Sequence, residues 1–176
     1  MLCVINIGHS RKDPGCSNKN YNVTEFEFNH ELALDIEQEL AKTSIDHLLV
    51  YQENYASLPT LINGYNPGFV LSLHANAFDT KTGGCETLYD FESGKSLILA
   101  DIVQKHLNSV LHNPNRGVKP KKPGDRGYSL LHGVKCPIVI CEPFFLDNDY
   151  DYENALDRYD ELVGAYVRAI KEYASR

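Results

Sequence analysis

The sequence has no cysteine pair at Cys-x-x-Cys spacing, no apolar stretch long enough to cross a bilayer, no charged and apolar leader, and no repeat or low-complexity tract. Each absence removes a class of protein. The five cysteines, Cys3, Cys16, Cys85, Cys136 and Cys141, are odd in number and irregularly spaced, which argues against a disulfide framework and a structural zinc knot and leaves reduced packing thiols. Cys141, inside an apolar run, reads as a small buried hydrophobe rather than a nucleophile. The start passes straight from Met1 into Cys3, Val4, Ile5 and Ile7, so the expectation is synthesis in the cytoplasm without a signal peptide and without a transmembrane segment. Basic residues are also in deficit: 17 Lys and Arg face 24 Asp and Glu, a formal net charge of -7. That balance excludes a chain built to track a phosphate backbone, so no nucleic-acid partner is expected. The one basic cluster, around Lys119, Lys121, Lys122 and Arg126, is broken by Pro120, Pro123 and Gly124 and reads as a solvated loop, with a substrate-binding role as the alternative.

What is present is a chain of 176 residues, 43% hydrophobic, enough for one sizeable core, and a single domain over 1–176 is the expectation. Residues 3–8 form an apolar, β-branched run that reads as a buried strand ending at Gly8 and His9. Asn22, three residues before Glu25, reads as half of a capping box opening a helix to about Lys42. Further strands are expected at His47–Tyr51, at Phe69–His74, at Thr87–Tyr89 and at Pro137–Cys141. Helices are expected after Ser93 and from near Tyr152 to Tyr173, and a Pro- and Gly-rich loop over 113–127. Strands and helices alternate. The pattern predicts an α/β, three-layer fold: a largely parallel or mixed twisted sheet with helices on both faces.

Three buried-type strands run directly into a side chain that can ligate or ionise: His9, His74 and Glu142. Sites in open α/β sheets form outside the carboxyl ends of strands, so residues far apart in sequence can converge there. A single histidine beside an apolar run is more often a hydrogen-bonded rim residue, but two of them suit a zinc site, which then calls for a third ligand, commonly a carboxylate. Glu25, Glu27 and Glu31 are the nearest candidates. At about 100° per residue Glu25 shares the inward face of Leu32 and Ile36, whereas Glu27 and Glu31 point to solvent. Glu25 also sits in the first helical turn, where a carboxylate is favoured. Glu142, among Ile140, Cys141, Pro143 and Phe144, is expected to bind protons more tightly than an ordinary carboxyl group and to trade them; pairing to Arg116 or Arg126 is the structural alternative.

These residues resemble the zinc-dependent N-acetylmuramoyl-L-alanine amidases of the type-3 family, over essentially the whole chain. Val4-Ile5-Asn6-Ile7-Gly8-His9 is similar to the family's opening strand and first zinc histidine, and Thr24-Glu25, with Asn29 beyond, to its ligand glutamate. Ser72-Leu73-His74-Ala75-Asn76-Ala77 resembles the segment with the second histidine, Asn115-Arg116-Gly117-Val118-Lys119 the Arg-Gly-Val-Lys stretch, and Pro137–Asn148 the closing strand with its catalytic glutamate. Ser10 and Arg11 stand where the family usually has glycines, and Pro143 and Phe144 replace smaller residues. The resemblance implies Zn2+ held by His9, Glu25 and His74, Glu142 as catalytic acid/base, and peptidoglycan as partner, cut between N-acetylmuramic acid and L-alanine. It implies action at the cell wall, as a lysis enzyme, a delivered toxin or a recycling enzyme. A monomer is the default. A zinc peptidase or deacylase on another amide, or a catalytically silent module that binds wall peptides, are the competing readings.

Overall fold

The computed structural model describes all residues, 1–176. Its elements run β1 (Cys3–Ile7), β2 (Ser17–Asn18), β3 (Val23–Thr24), α1 (Glu25–Leu40), β4 (His47–Tyr51), α2 (Leu58–Gly64), β5 (Phe69–Leu73), β6 (Cys85–Asp90), α3 (Gly94–Val110), β7 (Asn115–Lys121), α4 (Tyr128–Gly133), β8 (Ile138–Glu142), α5 (Asp149–Asp157) and α6 (Tyr159–Ala174). Six strands form one sheet in the order β4-β1-β5-β8-β6-β7. The first four are parallel, β6 runs antiparallel to β8, and β7 is parallel to β6. This is the mixed α/β sheet expected from the alternating pattern.

The strand residues divide by parity, because successive side chains leave a strand on opposite faces. Ile5, Ile7, Leu71, Leu73, Val139 and Cys141 pack with α1, α3 and α6 in the larger core. Val4, Val70, Ile138, Ile140 and Leu88 pack with α2 and α4 in a smaller one. Both faces are covered, which is why β1, β5 and β8 read as unbroken apolar runs.

Register sets the site. Ile7 pairs with Leu73, and Leu73 with Cys141, so the next residues, Gly8, His74 and Glu142, emerge side by side at the carboxyl edge. In the antiparallel neighbour Glu86 pairs with Glu142 itself. Parity puts His74, Glu142 and Glu86 on the face of the smaller core. Below them Ser72 Oγ donates to Asn6 Oδ1 at 2.7 Å and Asn6 Nδ2 to the Val50 carbonyl at 3.1 Å, tying three strands by buried hydrogen bonds.

Three local expectations are corrected. The cap of α1 is Thr24, not Asn22: Thr24 Oγ1 accepts from the Glu27 amide at 3.3 Å and Glu27 Oε2 accepts from the Thr24 amide at 2.9 Å, a complete capping box. Glu27 is therefore an exposed residue with a structural partner, and Asn22 takes a left-handed turn at φ 51. The segment expected as a loop over 113–127 contains β7, which carries Pro120 because it is the edge strand of the sheet, where a missing N–H is tolerated. The final helix is two, α5 capped by Asn148 and α6 resuming after Arg158. Both halves bury their apolar faces in the same core, so the helical periodicity continues across the break.

Thr24→Ala removes the side-chain half of the capping box at the point where α1 delivers Glu25. A loss of ~1 kcal/mol in unfolding free energy is expected, read from the urea midpoint with an unchanged slope.

Candidate metal centre and active site

At the carboxyl edge of the sheet the ligand-capable atoms of His9, Glu25 and His74 all lie within 4.8 Å of one another. Each arrives by a different route. His9 follows β1 through a left-handed residue, φ 65, a conformation that costs a non-glycine residue of order 1 kcal/mol and is characteristic of functional sites. Its partner Glu25 is the first residue of α1 and is 1% exposed, whereas Glu27 and Glu31 face solvent. His74 follows β5, its amide donating to the Cys141 carbonyl at 3.0 Å.

Glu25 is the hub. Its Oε1 lies 2.9 Å from His74 Nδ1 and accepts from the Ala75 amide at 3.1 Å. Its Oε2 accepts from the Cys16 amide at 3.2 Å and lies 3.2 Å from His9 Nε2, a contact without hydrogen-bond geometry that leaves both His9 ring nitrogens unpartnered. Burial alone would raise the proton affinity of Glu25, but the two imidazoles overcome it and hold the carboxyl well below its usual range. The same carboxylate raises the proton affinity of His9. Charge and lone pairs thus converge on a position that favours a cation.

Two glycines make room for this arrangement. A Cβ on Gly8 would lie 2.4 Å from His74 Cε1, and one on Gly15, itself at φ +77, would lie 2.5 Å from Glu25 Oε2. Two imidazoles and one carboxylate, with both His9 ring nitrogens and His74 Nε2 unpartnered, are donor types that could hold a metal ion such as zinc.

Glu142 stands beside this cluster at the end of β8. It is 5% exposed and its Oε2 has no hydrogen-bond partner. Burial, reinforced by the negative charges of Glu25 and Glu86 and opposed by Arg126 and Lys121, pushes its pKa up to about 8. No ion pair ties it to an arginine. Arg116, the partner considered from sequence, donates instead from Nε to Glu86 Oε2 at 2.7 Å, while its guanidinium lies 5.0 Å over the Phe145 ring. Asn76 Nδ2 holds the other Glu86 oxygen at 2.9 Å.

Asn76, Glu86 and Arg116 therefore form a polar wall; sequence reasoning assigned no role to Asn76 or Glu86 and offered Arg116 only as a partner of Glu142. The signal was available for Glu86, which is in phase with Leu88 on one face of β6, but a lone glutamate preceding a short apolar run carries little weight. The cleft above these residues has a volume of about 550 Å³ and takes in His9, His74, Glu142, Glu86, Lys121 and Arg126. Lys121 and Arg126, read from sequence as part of a solvated loop, reach the cleft because β7 and the turn after it run along its side.

The loops after β5 and β8 are fastened to each other across the rim. Asp151 Oδ2 accepts from the Gly84 and Phe145 amides at 2.7 and 3.0 Å, and Asp147 Oδ2 from the Phe78 and Thr80 amides at 3.0 and 2.9 Å. Cys3, Cys85 and Cys141 are buried free thiols whose proton affinity burial raises, the reverse of what activates a thiol nucleophile.

A family model described as N-acetylmuramoyl-L-alanine amidase matches residues 3–172. No curated protein matches the chain in sequence. Among solved structures, an N-acetylmuramoyl-L-alanine amidase from Clostridium difficile 630 superposes with TM-score 0.87 at 22% identity, covering 99% of this chain and 96% of its own. The CwlD amidase from Clostridioides difficile, solved with the GerS lipoprotein, gives 0.85 at 25% identity, covering 99% and 98%. The catalytic domain of the CD27L endolysin targeting Clostridia difficile gives 0.81 at 24% identity, covering 100% and 98%. With the family model spanning nearly the whole chain and the same fold recurring in these amidases, this chain belongs to the N-acetylmuramoyl-L-alanine amidase family.

Proposed function

We propose that the chain is a zinc-dependent hydrolase that cleaves the amide between the lactyl group of N-acetylmuramic acid and L-alanine in peptidoglycan. The observation that carries this reading is the His9, Glu25 and His74 cluster, with Glu25 and His74 buried and the unpartnered carboxyl of Glu142 beside it, in a chain of this family. His9, Glu25 and His74 would hold the metal. A zinc ion held there would supply Lewis acidity, which lowers the pKa of a bound water to about 7 and polarises a carbonyl.

Glu142 moves the protons. As a carboxylate it takes one from the attacking water, and as the resulting acid it delivers that proton to the departing amine nitrogen. Desolvation raises the proton affinity of Glu142 above that of an ordinary glutamate, which suits a group that must hold the proton it takes from water until the amine departs. Glu86, fixed by Arg116 and Asn76, presents a neighbouring negative charge that favours the protonated state of Glu142.

Cleavage of this bond releases a carboxylate on the glycan and an amine on the peptide. Digested sacculi are expected to gain L-alanine amino termini and no reducing sugar ends, read by amine labelling and mass spectrometry. Label mainly on diaminopimelate, lysine or D-alanine would make the enzyme a peptidase. New reducing ends would require two carboxylates flanking a sugar bond and would overturn the reading of the site.

A further inference from the structure

We propose that Arg126, assisted by Lys121, is a specificity-determining pair that binds a free carboxylate on the peptide side of the scissile amide. The inference rests on the function proposed above and concerns groups that the hydrolysis itself does not use.

Both cations line the same cleft as His9, His74 and Glu142, they are the only lysine and arginine that do, and neither has a carboxylate within ion-pair distance. The acids of the cleft are largely committed. Glu86 is matched by Arg116 and Asn76, Glu25 by the two histidines, and Asp125 Oδ2 by the Lys122 amide at 2.8 Å. Asp13 lies at the His9 end and Glu142 at the base, and burial favours the neutral form of Glu142. In a protein with a net charge of -7, two unmatched cations at one side of the catalytic cleft point to an anionic ligand.

Arg126 is held there by a built turn. Asp125 N donates to the Lys122 carbonyl at 2.9 Å and Tyr128 N to the Asp125 carbonyl at 3.2 Å, and Gly124 and Gly127 adopt φ +94 and +86. A Cβ on Gly127 would lie 2.8 Å from Ile140 Cδ1, so the turn presses onto β8 two residues before Glu142. The turn thereby places Arg126 in the cleft that His9, His74 and Glu142 also line. A guanidinium offers a planar fork that matches a carboxylate.

Substrate chemistry says which side the anion is on. The lactyl carboxyl of muramic acid is consumed in the scissile amide and the remaining glycan groups are neutral, so a free carboxylate close to the bond belongs to the peptide.

The test uses two zinc-loaded assays on soluble muramoyl peptides that differ only at the second peptide residue, one with a free carboxylate and one with the carboxamide. The wild type is expected to favour the acid in kcat/KM by about tenfold or more, as a charge-assisted hydrogen bond gives, with the preference shrinking as salt rises. Arg126→Gln should bring the ratio close to one, Arg126→Lys should restore part of it, and Lys121→Gln should lower it less. Lys122→Gln, whose ammonium lies over the Phe91 ring, should leave it unchanged. Circular dichroism checks the fold, and Lys121→Gln carries the test if Arg126→Gln does not fold. Equal cleavage of both substrates by the wild type, or a preference that survives in both glutamine variants, overturns the inference and leaves the amidase reading intact. Cleavage of neither substrate overturns that reading and the inference with it.

Discussion

Replacing Glu142 by glutamine is expected to leave the fold and the metal content intact and to lower turnover on peptidoglycan by ~10²–10⁴-fold, the range general acid–base groups contribute. The glutamine keeps the volume at the end of β8 and cannot carry a proton from water to amine. A second effect separates this account from a loss of packing. In the metal-free protein Glu142 has a folded-state pKa pushed up to about 8, above the value of an unfolded glutamate. The folded state then binds the extra proton, so the contribution of this one group to stability is fully present below about pH 4.5 and is lost as pH rises through about 8. Glu142→Gln removes that decline. Chelator-treated wild type and variant, unfolded in urea at pH 5 and pH 9, should therefore differ most at pH 9, with the variant the more stable. Zinc lost from the variant on elemental analysis would make Glu142 a ligand and reopen the identity of the base.

Much of this site was legible in the sequence because the fold makes strand ends converge. Three apolar runs ended in His9, His74 and Glu142, and parallel pairing in register brings such endings together whatever their separation along the chain. Glu25 was separable from Glu27 and Glu31 by helical phase alone, since burial follows the face that meets the sheet. The residues that went unread belong to β6 and β7. Glu86 faces Glu142 only because β6 reverses direction, and nothing in a local pattern fixes strand direction. Pro120 and its flanking lysines look like loop chemistry, because an edge strand escapes the rule that excludes proline from sheet interiors. The cap was written in Thr24 and Glu27, a Thr-x-x-Glu box that the choice of Asn22 passed over, whereas the interruption at Arg158 turned on backbone angles, which periodicity does not report.

His74→Ala is expected to abolish both tight zinc binding and hydrolysis. Glu25 Oε1 sits 2.9 Å from His74 Nδ1, and the site offers three protein donors in all, the smallest set with which catalytic zinc is usually held. Removing one leaves Glu25, 1% exposed, with its charge balanced only by His9 and two backbone amides, so the remaining pair binds metal far more weakly. Stability reports the same loss independently of turnover. A ligand that binds only the folded state stabilises by about 4 kcal/mol when present at 1,000 times its dissociation constant, so zinc should raise the melting temperature of the chelated wild type and leave that of His74→Ala nearly where it was. Glu25→Gln should behave like His74→Ala, because a neutral amide cannot replace the carboxylate between two imidazoles. Glu27→Ala, which touches only the cap, should lose ~1 kcal/mol of stability and keep the full zinc-dependent rise. A zinc response preserved in His74→Ala and lost in Glu27→Ala would move the metal off this cluster, and elemental analysis of the same preparations distinguishes lost metal from lost fold.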